Sequence, residues 1–168
     1  MISKRVVFSA ENAIYCGKFF LKMHDLKTPY FSSVLFLDRI FNDISYVVGT
    51  FTEQQAQYYG KFLGFILEFT IKIHSSKEEF NKRTSNHPGF KTSVKKKNIE
   101  NDKLETVEKQ LEYENYRTVC NKWQGNISRA AVTCLMSEDY VQTRNMLVIL
   151  PRLIPFYPKL EERAKELE

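Results

Sequence analysis

The sequence contains little of the residues that mark several common protein classes. Its 168 residues include three cysteines, six glycines, five prolines and one tryptophan. Few glycines and prolines argue against a loop-rich β-sandwich, and strand patterns are weak throughout. The cysteines are odd in number, widely spaced and without a C-x-x-C pair, which argues against a disulfide framework and fits a reducing compartment.

Long apolar runs are also missing. Only residues 6–8 are apolar after the basic residues near the start, so we expect no signal peptide. The longest apolar-rich run, residues 62–73, contains Glu68 and Lys72 and is too short to cross a bilayer. The sequence therefore predicts no membrane partner.

Catalytic motifs are absent as well. The chain has no H-E-x-x-H, no phosphate-binding glycine loop and no G-x-S-x-G. His24 and His74 each end a predicted helix, where a positive charge suits the helix dipole, and His87 lies in a predicted turn. We expect no catalytic residue, no metal and no cofactor, and hence a protein that is not an enzyme.

What the chain has is apolar side chains at helical spacing. Hydrophobic residues make up 43% of the chain and aromatic residues 14%, enough to build a core. Apolar residues recur every three or four positions, which predicts helices over residues 10–26, 33–49, 53–74, 77–83, 111–136, 138–154 and 159–168. This pattern predicts one all-α domain over residues 1–168, built from stacked antiparallel helical hairpins like a segment of a HEAT or armadillo α-solenoid.

Several positions predict how these helices begin and pack. Predicted caps precede four of the helices: Ser9, Thr52 with Gln55 in a capping box, Ser76 and Ser137. Gly60 and Gly64 predict a closely packed neighbouring helix, and Pro151 predicts a kink. Trp123 is expected to anchor the core. In the helix after Ser137 we expect one buried stripe of Tyr140, Met146, Leu147, Leu150, Leu153 and Ile154. The helices carry more apolar and aromatic surface than 168 residues need, notably at Phe19, Phe36, Phe65, Phe69 and Phe156. Several of these five lie off the main stripes and are expected to meet adjoining solenoid or another subunit.

Positive charge is concentrated in one window. Residues 77–103 hold eight basic and four acidic side chains, which accounts for most of the net charge of +5. From Phe90 to about Gln110 apolar periodicity is nearly absent, and this pattern predicts a mobile basic loop over residues 91–102. The candidate phosphate contacts are Lys91, Lys95, Lys96 and Lys97. No aromatic residues alternate with these lysines, so binding to RNA would be non-specific and salt dependent. The alternative is a loop that the lysines merely keep soluble.

Ordered sequence blocks resemble the THO complex subunit 2 family. The C-terminal block carries Tyr113-Glu-Asn-Tyr-Arg117, Lys122-Trp123, Cys134-Leu135, Arg144-Asn145 and the stretch from Leu150-Pro151 to Tyr157-Pro158. Earlier blocks, in order, are Phe8-Ser9, Lys27-Thr-Pro29, Asp38-Arg39, Thr52-Glu53, Tyr59-Gly60 and Pro88-Gly-Phe90. Such blocks, in order across most of the chain, are more specific than any single motif.

The resemblance implies a function that composition cannot supply. Members of this family are large nuclear scaffolds of the THO/TREX complex, which couples transcription to mRNA processing and export. As a piece of such an α-solenoid, this chain would contact other THO subunits and help to position a DEAD-box RNA helicase. The alternative from the residues alone is a free-standing basic helical domain that binds RNA directly.

Overall fold

The computed structural model describes residues 2–97 and 104–157. Within them the chain forms eight α-helices, one 3-10 helix and two strands. The helices are α1 (Ile2–Val6), α2 (Ala10–Asp25), α3 (Ser33–Asn42), α4 (Ile44–Val48), α5 (Glu53–His74), α6 (Lys77–Thr84), α7 (Tyr113–Leu135) and α8 (Tyr140–Leu153). The 3-10 helix covers Pro88–Phe90, and the strands are β1 (Lys91–Lys97) and β2 (Leu104–Gln110). The prediction of an all-α class is confirmed, since helices dominate the described chain. The helix predicted over residues 159–168 lies outside the described residues.

Helix α5 is the middle member of a row with α2 and α8. Phe65 of α5 packs so closely on Gly17 of α2 that an added Cβ would lie 2.6 Å from the Phe65 ring. Gly60 of α5 contacts α8 instead. Because successive residues turn by about 100° around a helix, Gly60 and Phe65 point roughly 140° apart. Helices α2 and α8 therefore lie on different sides of α5 and form the two ends of the row, while α7 packs against α3, α4, α5 and α8.

The glycine pair of α5 allows α8 to approach closely, as the sequence predicts. A Cβ on Gly64 would lie 2.9 Å from the carbonyl oxygen of Arg152, and one on Gly60 would lie 3.3 Å from Ile149 Cα. Any larger side chain would meet the backbone of α8. The absence of a side chain thus sets the distance between the two helices.

Trp123 lies in the core, as predicted. It is almost completely buried on α7, with its ring 5.4 Å from that of Phe41 and 6.2 Å from that of Tyr116. Cys120 and Ile127, on the same side of α7, are buried with it. This cluster joins α7 to α3 and stabilises the packing of both.

Caps begin most helices where the sequence predicts them. Ser9 and Ser76 accept hydrogen bonds from the third residue of α2 and of α6, and Thr52 forms the complete capping box with Gln55. The exception is α8, which is capped by Asp139 rather than by Ser137. Ser137 instead accepts from the amide of Asp139, so it shapes the turn before the cap.

The helix predicted over residues 33–49 is interrupted. α3 ends at Asn42, and α4 begins at Ile44, because Asp43 adopts φ −91° and ψ 1°. Short polar side chains such as those of Asn and Asp favour non-helical backbone, which explains why this pair marks the break. Pro151 does not end its helix, since α8 continues to Leu153. The predicted kink at Pro151 stays a prediction.

The basic segment begins differently from the expected loop. Residues 91–97 form β1, which pairs antiparallel with β2 from Lys91 opposite Gln110 to Lys97 opposite Leu104. The base of this hairpin is tied to the core, because the amide of Leu111 donates to the carbonyl of Phe90 over 2.8 Å. Strands pair through backbone hydrogen bonds, which need no apolar side chains, so the hydrophobic periodicity of the sequence could not predict this hairpin. The prediction of a loop is therefore wrong for residues 91–97, which form a strand. Residues 98–103 lie outside the described residues. The predicted mobility of the basic segment stays a prediction.

Candidate functional site

The four lysines proposed to contact phosphate lie along β1. Lys91 is exposed at the base of the hairpin. By backbone register Lys95 lies opposite Thr106, Lys96 opposite Glu105 and Lys97 opposite Leu104. The two strands together carry five basic and two acidic residues, so the hairpin keeps a net positive charge. The structure does not describe the side chains of residues 95–97, and phosphate binding there stays a prediction.

Two histidines that sequence reasoning assigned to a helix end and to a turn are paired in the interior. The rings of His24 and His87 stack with centroids 3.8 Å apart, and both residues are buried. The Nδ1 atom of His24 lies 3.0 Å from the hydroxyl oxygen of Ser33. The pair therefore joins the end of α2 to the start of α3 and to the turn before the hairpin. No local pattern could reveal it, since the partners lie 63 residues apart.

The protonation state of this pair follows from its hydrogen bonds. The amide of Gly89 donates to Nδ1 of His87 over 3.2 Å, so that nitrogen carries no proton. Its Nε2–H then donates to the carbonyl oxygen of His24. Burial, reinforced by the charge of His87, lowers the pKa of His24 to about 4, and burial also lowers the pKa of His87. Both rings are neutral at pH 7. The expectation that His24 is a positive group at a helix end is therefore wrong.

The cysteines are structural rather than reactive. Cys16, Cys120 and Cys134 are buried and unpaired as thiols. Burial raises the pKa of all three, that of Cys120 to about 12, so the nucleophilic thiolate is scarcely populated at pH 7. Within residues 2–97 and 104–157 no cluster of three or more His, Cys, Asp or Glu side chains is arranged to hold a metal ion.

The outer face of α2 exposes a row of apolar and basic side chains at one end of the helix row. Ile14, Tyr15 and Phe19 are all exposed, and the rings of Tyr15 and Phe19 lie 6.1 Å apart at 18°. The guanidinium of Arg5 lies 4.8 Å from the centre of the Tyr15 ring. Among the five phenylalanines named above, Phe19 is the one that is exposed. Phe36, Phe65 and Phe156 are partly buried, and Phe69 is buried.

The outer face of α8 carries a second apolar row at the opposite end. Tyr140, Leu147 and Ile154 are 74%, 57% and 68% exposed, and their spacing of seven residues places them on one side of the helix. The sequence assigned these three residues to the buried stripe, which is wrong. The buried face of α8 is formed by Asn145, Met146, Ile149 and Leu153. Helix α8 thus has two apolar faces, one packed within the chain and one exposed.

The two rows mark the ends of the chain as contact surfaces. A helical stack that ends in solvent normally closes with a polar outer face. Here both end helices, α2 and α8, expose large apolar side chains instead, which is typical of surfaces that pack on further helices. No helix in the described ranges is long and apolar enough to cross a bilayer.

Comparison with known proteins identifies relatives along the whole chain. Residues 1–168 match the Tho2 family, described as transcription factor/nuclear export subunit protein 2. The sequence is 38% identical over 167 residues to THO complex subunit 2 of Homo sapiens and of Mus musculus, covering 99% of this chain and 10% of each relative. THO complex subunit 2 of Arabidopsis thaliana is 26% identical over 175 residues, covering 99% of this chain and 9% of the relative. The chain thus spans about a tenth of the length of these relatives.

Proposed function

Because the chain belongs to the Tho2 family, we propose that it is a non-catalytic scaffold segment of a THO-type complex, which couples transcription to mRNA processing and export in the nucleus. The observation that carries this proposal is the pair of apolar rows on α2 and α8. They lie at the two ends of the row α2–α5–α8, where a longer α-solenoid would continue. The segment then acts by stacking between neighbouring helical repeats and by keeping its outer surfaces in a fixed geometry.

The partners follow from the family and not from a site within the chain. We infer that the other THO complex subunits assemble on the scaffold to which this segment belongs, and that this assembly positions a DEAD-box RNA helicase. Buried protonated thiols and neutral buried histidines support a structural role, since nucleophilic and acid–base catalysis need accessible groups that titrate near neutral pH.

RNA is a secondary partner in this proposal. The net positive charge of the β1–β2 hairpin favours an anionic ligand, and Lys91, Lys95, Lys96 and Lys97 are the proposed phosphate contacts. Such contacts attract RNA without reading its sequence. The alternative function, a free-standing domain whose main activity is RNA binding, leaves the exposed apolar rows of α2 and α8 without a role.

A pair of variants tests the proposal in cells. A tagged protein that contains this chain is purified after nuclease treatment, and its partners are identified by mass spectrometry. We expect THO subunits to co-purify, and we expect Leu147→Glu with Ile154→Glu to reduce their recovery severalfold. The matched control changes Lys95, Lys96 and Lys97 to alanine and should leave recovery unchanged. Absence of THO subunits, or their loss in the lysine variant, would contradict the scaffold proposal.

A further inference from the structure

A groove of about 640 Å³ lies away from both end faces, between α1, α3, α4 and the loop that leads into α5. This volume lies within the usual range of protein clefts that bind small molecules. Its apolar walls are formed by Val7, Phe36, Val47 and Phe51. None of the exposed apolar residues of α2 or α8 lines it, so helices stacked on either end would not be held there.

The floor of the groove holds a hydroxyl group without a protein partner. Tyr59 is 3% exposed and lines the groove, and its hydroxyl makes no hydrogen bond to any residue that the structure describes. Burial, followed by the negative charge of Asp43, raises the pKa of Tyr59, so the phenol keeps its proton. Because Tyr59 lines the groove, a ligand oxygen that enters the groove can accept a hydrogen bond from this hydroxyl.

The rim of the groove carries two cations that are free to bind a ligand. Lys4 and Arg39 are exposed and form no ion pair with a described residue. Among the described lining residues Asp43 is the single carboxylate, and it lies close enough to Tyr59 for its charge to act on the phenol. The rim is therefore net positive beside apolar walls.

We propose that this groove binds a short acidic segment of a partner protein. One bulky apolar side chain of that segment packs between Phe36 and Val47, and an adjacent carboxylate pairs with Arg39 or Lys4. A carbonyl oxygen of the segment accepts the hydrogen bond from Tyr59, since the nearby charge of Asp43 disfavours a carboxylate there. Charge complementarity favours this occupant, and a two-fold symmetric pairing with a second copy would bring two positive rims together. RNA fits less well, because bases stack on exposed rings, and here the rings are partly buried.

Binding of model peptides to the 168-residue chain tests this proposal. The probe is a fluorescein-labelled 12-residue peptide with leucine and phenylalanine four positions apart and glutamates around them, and its twin has lysine for every glutamate. We expect the acidic peptide to bind and the basic twin to bind at least tenfold more weakly, by anisotropy. Arg39→Glu should weaken the acidic peptide tenfold, about 1.4 kcal/mol. Lys18→Glu, the same charge change on the outer face of α2, should leave binding unchanged.

Several results would overturn the proposal. Equal affinity for the two peptides would exclude charge selection, and equal affinity of the Arg39→Glu and Lys18→Glu variants would exclude the groove. NMR shifts on Leu147 and Ile154 instead of Val7 and Val47 would place the peptide on the α8 end face. Displacement of the acidic peptide by an oligouridine probe at equal concentration would favour RNA. Should Arg39→Glu fail to fold, Lys4→Glu replaces it.

Failure of this proposal is distinguishable from failure of the scaffold function. The groove and the two end faces share no exposed residue, so Arg39→Glu should leave the recovery of THO subunits intact. If Arg39→Glu abolished that recovery while its melting temperature stayed at the wild-type value, the groove would be a site for a THO subunit and not for a separate acidic segment.

Discussion

The indole N–H of Trp123 donates a hydrogen bond of 3.0 Å to Oδ1 of Asp38 and thereby ties α7 to α3. The neighbouring Lys122 binds the same oxygen through its Nζ atom at 2.8 Å. Burial would raise the pKa of Asp38, but the hydrogen bonds from Lys122 and Trp123 outweigh it, and the pKa is lowered. The bulkiest of the fully buried side chains in the described core is thus held at its edge by an ionised carboxylate.

Substitutions at Trp123 should separate its packing from this hydrogen bond. Trp123→Phe keeps an aromatic ring but loses the donor, and should lower the free energy of unfolding by roughly 1–3 kcal/mol. Trp123→Ala also leaves a cavity and should cost roughly 3–5 kcal/mol. Lys122→Met removes only an exposed ion pair and should change stability by less than about 1 kcal/mol. Urea denaturation measures all three. An unchanged midpoint for Trp123→Ala would show that Trp123 is not a core anchor.

The stacked histidines should make the fold sensitive to mild acid. In the unfolded chain His24 takes up a proton near pH 6.5, but in the folded chain it does so only near pH 4. The unfolded state therefore binds more protons between these values, and stability falls as the pH drops through that window. A difference of this size corresponds to on the order of 3 kcal/mol, fully present above about pH 7.

Thermal melts between pH 7.5 and pH 4.5 check this prediction. His24→Phe retains a ring but cannot titrate, so its melting temperature should depend less on pH than that of the wild-type chain. Parallel profiles for wild type and His24→Phe would rule out His24 as the source of acid sensitivity.

Gly64 should not tolerate even a methyl group. Its added Cβ would lie 2.9 Å from the backbone oxygen of Arg152, and backbone cannot move aside as a flexible side chain can. The gain in helix propensity offsets part of the strain, and we expect Gly64→Ala to cost roughly 1–2 kcal/mol. Gly49→Ala is the control, since its Cβ would meet only the mobile side chain of Gln142, at 3.1 Å. Equal melting temperatures for the two variants would mean that α8 does not depend on a close approach at Gly64.

The lysines of β1 should contribute charge without sequence selectivity. Changing Lys95, Lys96 and Lys97 to alanine should weaken RNA binding equally for unrelated single-stranded sequences. The slope of log K against log salt should fall by roughly 0.7 for each phosphate that a lysine no longer neutralises. Changing the same residues to arginine keeps the charge and should preserve the slope. Tight binding to one RNA sequence, or an unchanged slope in the alanine variant, would contradict a purely electrostatic interaction.

Local sequence signals predicted the elements whose boundaries depend on local chemistry. Helix α5 begins and ends where the capping box at Thr52 and the apolar period place it, because caps and periodicity act within a few residues. The close approach at Gly60 and Gly64 was also predictable, since two glycines one turn apart are costly in a helix unless another helix needs the space. The break at Asp43 was missed because its signal is a weak propensity.

The exposed apolar row of α8 could not be predicted from local sequence signals. Tyr140, Leu147 and Ile154 share the apolar or aromatic character of the buried Met146 and Leu153, so spacing along the sequence assigned all five to one buried stripe. Burial depends on which side of α8 meets α5, and that is set by residues on another helix. For the same reason the candidate groove around Tyr59 could not be predicted, since its lining comes from five separate segments of the chain.

The sequence by itself determined the helical class, most helix boundaries, the core position of Trp123 and the family, because these depend on neighbouring residues or on the succession of sequence blocks along the chain. The tertiary structure alone decided which apolar faces are exposed, that the basic segment begins as a paired strand, and that His24 and His87 stack as neutral rings. Each of these depends on contacts between distant residues, whose free energy is gained only when the chain brings them together.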